Sequence, residues 1–206
     1  MRFYFIRHGE SEANILHEMS NRGWKHGLTE KGREQAAALA HNLHSLDSLK
    51  AHKILSSPLM RAVQTAEIVA AALGLEVEVT DALREFDCGI AEGHADEAHW
   101  ALWRWVMDEW LERGRADSRI PEGESLTDIH ARFFPLMARL VAEKQNDDEA
   151  VILIGHGGLY LTVLPTLLPE VGLRFAGQFP NTGYVVAETQ GDTFVCREWC
   201  GTPMPF

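Results

Sequence analysis

Met1-Arg2-Phe3-Tyr4-Phe5-Ile6-Arg7-His8-Gly9-Glu10 opens the chain. A run of aromatic and branched residues that breaks off into Arg-His-Gly reads as a buried strand, delivering a cation, an imidazole and a flexible hinge to its carboxyl end. In open α/β sheets that end is where ligands bind. Taken alone, the stretch fits an ordinary surface Arg-His pair equally well. A distant segment changes the balance: Val151-Ile152-Leu153-Ile154-Gly155-His156-Gly157-Gly158 is a second hydrophobic strand that ends in a histidine among glycines. Two such strands, each handing a histidine to a glycine-loosened loop, point to a shared crevice at one end of a sheet.

The rest of the composition is that of an ordinary globular chain. With 206 residues, 46% hydrophobic and 24% charged, residues 1–206 suit one domain with a closed core. A formal net charge of −11 argues against general nucleic-acid or anionic-membrane binding, because no basic run exists to displace counterions from a phosphate backbone. An anionic substrate then needs a local basic pocket in a repelling surface. The first residues lack a signal-peptide pattern. Val151 to Pro169 is almost apolar, but Gly155, His156, Gly157, Gly158 and Pro165 interrupt it, so it reads as strand, tight loop and buried helix rather than a membrane span. The cysteines are Cys88, Cys196 and Cys200. On one strand Cys196 and Cys200 would stand roughly 13 Å apart, too far for a disulfide. A reducing cytoplasm is the expected setting.

Strands and helices alternate along the chain. Gly9 to Gly27 has no period and reads as irregular. Thr29 caps a helix with Ala36, Leu39, Ala40, Leu43 and Leu46 at helical spacing, and its His41 and His44 read as surface residues because no third metal ligand lies nearby. His52 to Ser57 is a strand, Pro58 opens the next helix and Gly74 closes it. Arg61 falls in that helix's first turn, where free N–H groups already favour an anion. Leu75 to Val79 is a strand, and Leu83-Arg84-Glu85-Phe86 follows its exit. A helix over about residues 95–112 places Trp100, Trp103, Met107 and Trp110 on one face, either a packing face or an aromatic wall over a substrate. Pro121-Glu122-Gly123-Glu124-Ser125 turns into a helix in which Ser125 and Asp128 stand in capping-box register and Pro135 predicts a kink. Gln145 to Glu149 reads as an exposed acidic connector. Tyr184 to Glu188 and Thr193 to Trp199 form a terminal hairpin. The pattern predicts a three-layer α/β/α fold with a mostly parallel sheet.

The strand exits collect Arg7, His8, Arg61, Glu85 and His156. Arginines fork onto phosphate oxygens and stabilise spreading charge. A neutral imidazole is a nucleophile near pH 7. A carboxyl group can protonate a departing oxygen and later take a proton from water.

Five ordered blocks then resemble a known family. Arg7-His8-Gly9-Glu10-Ser11-Glu12-Ala13-Asn14, Leu28 to Ala36, Ser56-Ser57-Pro58-Leu59-Met60-Arg61-Ala62-Val63-Gln64-Thr65-Ala66, Leu83-Arg84-Glu85 and Gly155-His156-Gly157-Gly158 look like the histidine phosphatase superfamily, also called phosphoglycerate mutase-like. The resemblance spans nearly the whole chain and implies the phosphoglycerate mutase-like fold, with a helical cap insertion at about 86–123. It implies that His8 becomes a phosphohistidine, that Arg7, Arg61, His156 and Asn14 hold the phosphoryl oxygens, and that Glu85 serves as acid and then base. It implies no metal and no cofactor, and a small phosphate ester as partner. A homodimer is compatible with this reading.

The chain also departs from the family's pattern. Phe86-Asp87-Cys88-Gly89-Ile90 lacks the basic, tyrosine-containing stretch that follows the acid in the family's mutases, and Ala91 stands where many phosphatases carry Trp. The leading expectation is therefore a metal-independent phosphomonoesterase. A cofactor-dependent phosphoglycerate mutase-type phosphotransferase is the first alternative, and a catalytically silent phosphate-binding regulatory domain is the second. Trp100 and Trp103 are candidates for contacting an aromatic leaving group, and Lys25, with Arg22, for reaching a second anionic group. His17, His26, His94, His99 and His130 read as surface or capping residues.

Overall fold

The computed structural model describes residues 1–46, 49–143, 148–171, 179–191 and 193–204. Strand β1 (Arg2–Arg7) lies between parallel β4 (Glu149–Gly155) and antiparallel β5 (Tyr184–Gln190). Its pleat explains the layering. Phe3 and Phe5 enter one apolar cluster with Ile129, Phe133 and Leu159, while Tyr4 and Ile6 enter another with Leu39, Leu43 and Val69. Successive side chains on a strand point to opposite faces, so a strand apolar at every position must be covered on both. Each fully buried side chain of this size contributes roughly 1.5–3 kcal/mol.

Helices α2 (Glu30–His44) and α3 (Met60–Leu73) cover one face, and α5 (Leu126–Ala142) and α6 (Gly157–Leu167) the other. Thr29 caps α2 by accepting from Gly32 N at 3.0 Å, and Ser125 caps α5 by accepting from Asp128 N at 3.2 Å. Gly74, at φ 69°, ends α3 in the left-handed region that glycine adopts without penalty. With β2 (Lys50–Ser56), β3 (Val77–Val79), β6 (Thr193–Trp199) and β7 (Thr202–Pro203), the sheet runs β3-β2-β4-β1-β5-β6-β7. The three pairings among β3, β2, β4 and β1 are parallel, and those from β1 through β5 and β6 to β7 are antiparallel. The sheet is thus mixed, its parallel half carrying the strand exits of interest.

Register sets those exits level. Arg7 stands opposite Gly155 and Ser56 opposite Ile154. One residue further, His8 N donates to Gly155 O at 3.1 Å and Ser57 N to Ile154 O at 2.9 Å. Beyond His8 the chain meets the first turn of α2 at very close range: a Cβ built on Gly9 would sit 2.4 Å from Gly32 O, and one on Gly32 1.9 Å from Glu10 O. Both glycines are required by the approach of two backbones.

Several expectations need correction. The stretch from Gly9 to Gly27 contains a short helix, α1 (Glu12–Leu16), started by Ser11 N donating to Asn14 Oδ1 at 3.1 Å. Its five residues are too few to show a period. Leu46 lies beyond α2 and is exposed, and Pro58 precedes α3, with Leu59 at the cap position. Strand β3 begins two residues later than Leu75. Helix α5 is continuous through Pro135, which is exposed. Of the acidic connector, 145–147 lie outside the described residues, and Glu149 belongs to β4. Between β3 and α5 come two 3-10 turns, Asp81–Leu83 and Gly89–Ala91, and α4 (Glu97–Leu111). Among the described residues no helix is long and apolar enough to cross a membrane, and Cys88 and Cys196 are buried thiols.

Candidate active site

The crevice at the ends of β1, β4 and β2 opens into a cavity of about 560 Å³ whose lining includes Arg7, His8, Asn14, Arg61 and Glu85. His8 is buried, and its Nδ1 lies 2.6 Å from Gly9 O. A carbonyl only accepts, so Nδ1 carries the proton and Nε2 keeps its lone pair. Arg61 Nε donates to that nitrogen at 3.1 Å. Burial, then the guanidinium charges of Arg61 and Arg7, push the His8 pKa well below its usual value, although the Gly9 bond opposes this. The imidazole is therefore neutral at pH 7.

Arg61 enters from the first turn of α3. Its Nη1 donates to Ser20 O at 2.7 Å, and burial draws its pKa down to about 10, opposed chiefly by the charge of Glu85. Arg7 sends Nη1 to Phe179 O at 2.7 Å, while its buried Nε finds no partner among the described residues. His156 is the residue that precedes α6. It lies 5.0 Å from His8 between ring centroids, and its Nε2 meets Ser57 Oγ at 2.7 Å. Its buried Nδ1 has no partner among the described residues, and burial followed by nearby cations pushes its pKa well down. A buried, unpaired ring nitrogen is costly, and in the tautomer that puts the proton on Nδ1 an anion's oxygen would satisfy it.

Glu85 sits against the N-terminus of α6. Gly158 N donates to its Oε2 at 2.9 Å and Phe86 N to its Oε1 at 3.0 Å. Burial raises its pKa despite these bonds and the charge of Arg61. A Cβ on Gly158 would stand 2.8 Å from Glu85 Oε1, so glycine is what lets the carboxyl group approach. Asn14 Oδ1 accepts from Ser11 N and, at 3.3 Å, from Asn181 Nδ2. That leaves its own amide donors uncommitted among the described residues.

The upper wall is apolar: Trp100, Trp103, Met107, Leu161 and Phe179 line it. Trp100 Nε1 donates to His17 O at 2.8 Å, which fixes the indole's edge. Trp110 turns inward against Phe86, and Trp105 is exposed. The face of α4 thus divides, its first half walling the cavity and its end packing the core. Lys25 is not brought to the cavity. Its ammonium pairs with Glu18, a carboxylate that does line the cavity, and Arg22 pairs with Asp87 at the surface. Three further groups escaped the sequence reading. Ser57, which meets His156, stood inside a quoted motif. Asn181, whose Nδ2 donates to His8 O at 3.0 Å, has no neighbouring signal. The carbonyl of Ser20 is invisible in any pattern.

Residues 3–202 match the family model described as histidine phosphatase superfamily (branch 1). The chain belongs to that superfamily. This histidine phosphatase is 35% identical over 179 residues to a glucosyl-3-phosphoglycerate phosphatase of Mycobacterium tuberculosis, covering 81% of this chain and 75% of the relative. It is 30% identical over 171 residues to a probable phosphoglycerate mutase of Salmonella paratyphi C, covering 82% and 75%. Among solved structures, a mycobacterial glucosyl-3-phosphoglycerate phosphatase complexed with VO3 matches at a TM-score of 0.79 and 29% identity over 97% of this chain and 98% of that one. A phosphoserine phosphatase variant from Entamoeba histolytica matches at 0.77 and 24% identity, a likeness of fold, over 98% and 97%.

Proposed function

We propose that this histidine phosphatase is a phosphomonoesterase working through a phosphohistidine on His8. The observation that carries this is the neutral imidazole, locked with its proton on Nδ1, facing two guanidinium groups and a carboxyl group whose pKa is raised. In the first step Nε2 of His8 bonds to phosphorus, the ester P–O bond breaks, and protonated Glu85 gives its proton to the departing oxygen. In the second, Glu85 takes a proton from water, the water oxygen bonds to phosphorus and the N–P bond breaks, releasing inorganic phosphate. Arg7, Arg61, His156 and Asn14 hold the phosphoryl oxygens, and the guanidinium charges compensate the charge that spreads over them. That supports a reaction that needs no metal.

The apolar wall formed by Trp100 and Trp103 favours an aromatic or otherwise apolar leaving group. A mutase is less well supported. After Glu85 the chain buries Phe86 and Cys88 and turns Asp87 toward Arg22, so nothing in this stretch offers a cation to a second phosphate. A silent binding domain is disfavoured because imidazole, arginines and acid all reach one cavity.

The deciding experiment is hydrolysis of para-nitrophenyl phosphate in EDTA by the wild-type chain and by His8→Ala. Activity that survives EDTA and disappears in the variant supports the reading. Activity retained by His8→Ala refutes it.

A further inference from the structure

We propose that His94, Asp96 and His99 form a binding site for a divalent transition-metal ion of the zinc type, outside the phosphatase cavity at the start of α4. One ligand atom from each of these side chains lies within 4.8 Å of the others. His99 Nδ1 is 2.7 Å from Asp96 Oδ2, and His94 Nδ1 is 3.6 Å from the same oxygen. The two imidazoles are stacked, 3.7 Å between centroids and 7° from parallel. Both rings thus present Nδ1 to the same carboxylate oxygen.

The geometry is close to what an ion needs. Ligand atoms at 2.0–2.1 Å around a tetrahedral ion are about 3.4 Å apart. The observed 2.7 and 3.6 Å to Asp96 Oδ2 bracket that spacing, and a turn of one imidazole out of the stack would bring both ring nitrogens onto one ion. The backbone beneath is fixed. Asp96 Oδ1 accepts from Ala98 N and His99 N as the cap of α4, and the contact of His99 Nδ1 with the carboxylate, 2.9 Å from Oδ1 and 2.7 Å from Oδ2, is the one an ion would replace. His94 N donates to Ala91 O, and His94 O accepts from Met19 N at 3.0 Å. Two imidazole nitrogens and one carboxylate oxygen suit zinc, nickel or copper rather than magnesium or calcium, which take oxygen shells. The side chains are 48%, 54% and 26% exposed, so an ion can enter and water can complete its shell. Occupancy would tie the turn at Gly93 to the first turn of α4, one residue before Trp100 of the cavity wall.

The test is isothermal titration of zinc chloride into EDTA-treated, desalted protein, using wild type, His94→Ala, His99→Ala and His8→Ala. The expected result is one zinc ion per chain in the wild type and in His8→Ala. Binding should be weakened by about tenfold or more in each of the other two variants, since even outer-shell losses cost that much. Zinc should also raise the thermal midpoint of the wild type but not of His99→Ala, whose midpoint in EDTA should match the wild type. Absence of wild-type binding at micromolar zinc would overturn the proposal. So would unchanged binding in His99→Ala, or binding lost in His8→Ala and kept in His94→Ala and His99→Ala, which would place the ion at the catalytic centre.

Discussion

Arg61 Nε and His8 Nε2 are hydrogen-bonded at 3.1 Å, so the cation occupies the lone pair that the proposed chemistry uses. In the free protein this bond keeps the ring oriented and neutral. A bound phosphoryl group offers Arg61 a charged acceptor in place of an uncharged one, and charge-assisted bonds are the stronger. Substrate would therefore draw the guanidinium off the nitrogen and expose the nucleophile. Arg61→Ala should lower kcat/KM for para-nitrophenyl phosphate by roughly 10²–10³-fold, and Arg61→Lys should restore little, because an ammonium lacks the fork. Full activity in Arg61→Lys would show that a point charge suffices.

The pH dependence has a defined sign. His8 is neutral to well below its usual 6.5, so loss of the nucleophile confines the acid limb to low pH. Glu85 titrates above its usual 4.5, and the alkaline limb of kcat/KM should follow its deprotonation. Glu85→Gln should remove that limb. It should harm alkyl phosphates far more than para-nitrophenyl phosphate, whose leaving group departs without a proton. Equal losses on both substrates would place the acid elsewhere.

The same shift has a consequence for stability. A carboxyl group whose folded-state pKa is raised stabilises the fold fully below its unfolded value near 4.5, and that contribution is lost as pH rises through the folded value. Glu85→Gln should therefore raise the thermal midpoint at pH 8 relative to wild type, with a smaller difference at pH 4. Differential scanning calorimetry at the two pH values checks this, and a lower midpoint at pH 8 would contradict it.

Gly158→Ala forces a methyl group to within 2.8 Å of Glu85 Oε1 and 2.9 Å of Phe86 Cε1. Overpacking of this kind costs about 1–3 kcal/mol. Because the displaced atom belongs to the acid, kcat for an alkyl phosphate should fall by more than KM rises. Steady-state kinetics beside a urea melt separates the two effects.

Trp100→Ala and Trp103→Ala should raise KM for aryl phosphates several-fold while leaving small sugar phosphates nearly unchanged, since stacking area is what is lost. Lys25→Ala, whose ammonium is engaged by Glu18, should leave KM for mono- and bisphosphorylated substrates equally unchanged. A substrate panel measured on the three variants decides both points.

Much of the sheet was readable because its strands end abruptly. The apolar runs before His8 and His156 break off at Arg7 and Gly155, each with a glycine directly after the histidine, and a buried run bounded that way leaves few alternatives. Arg61 stood out as a cation in a first helical turn that electrostatics alone disfavours. Lys25 stands away from the cavity for a physical reason: its position in the chain is suggestive, but its ammonium meets Glu18, just beyond α1, a helix too short to announce itself. Asn181 approaches from the far end of the chain through a contact no local pattern encodes. His94, Asp96 and His99 lie close together in sequence. Without the cap geometry of Asp96, that spacing matched no ligand pattern.

The close approach of Gly9 to Gly32 makes the catalytic loop and α2 a single mechanical part. The helix cannot shift along its axis without pushing the peptide just after His8, so the imidazole's position is referenced to a surface helix that never touches the phosphate. Position 32 is thus a remote trim for the nucleophile, and drift on the outer face of α2 is tolerable only while that first turn stays where it is.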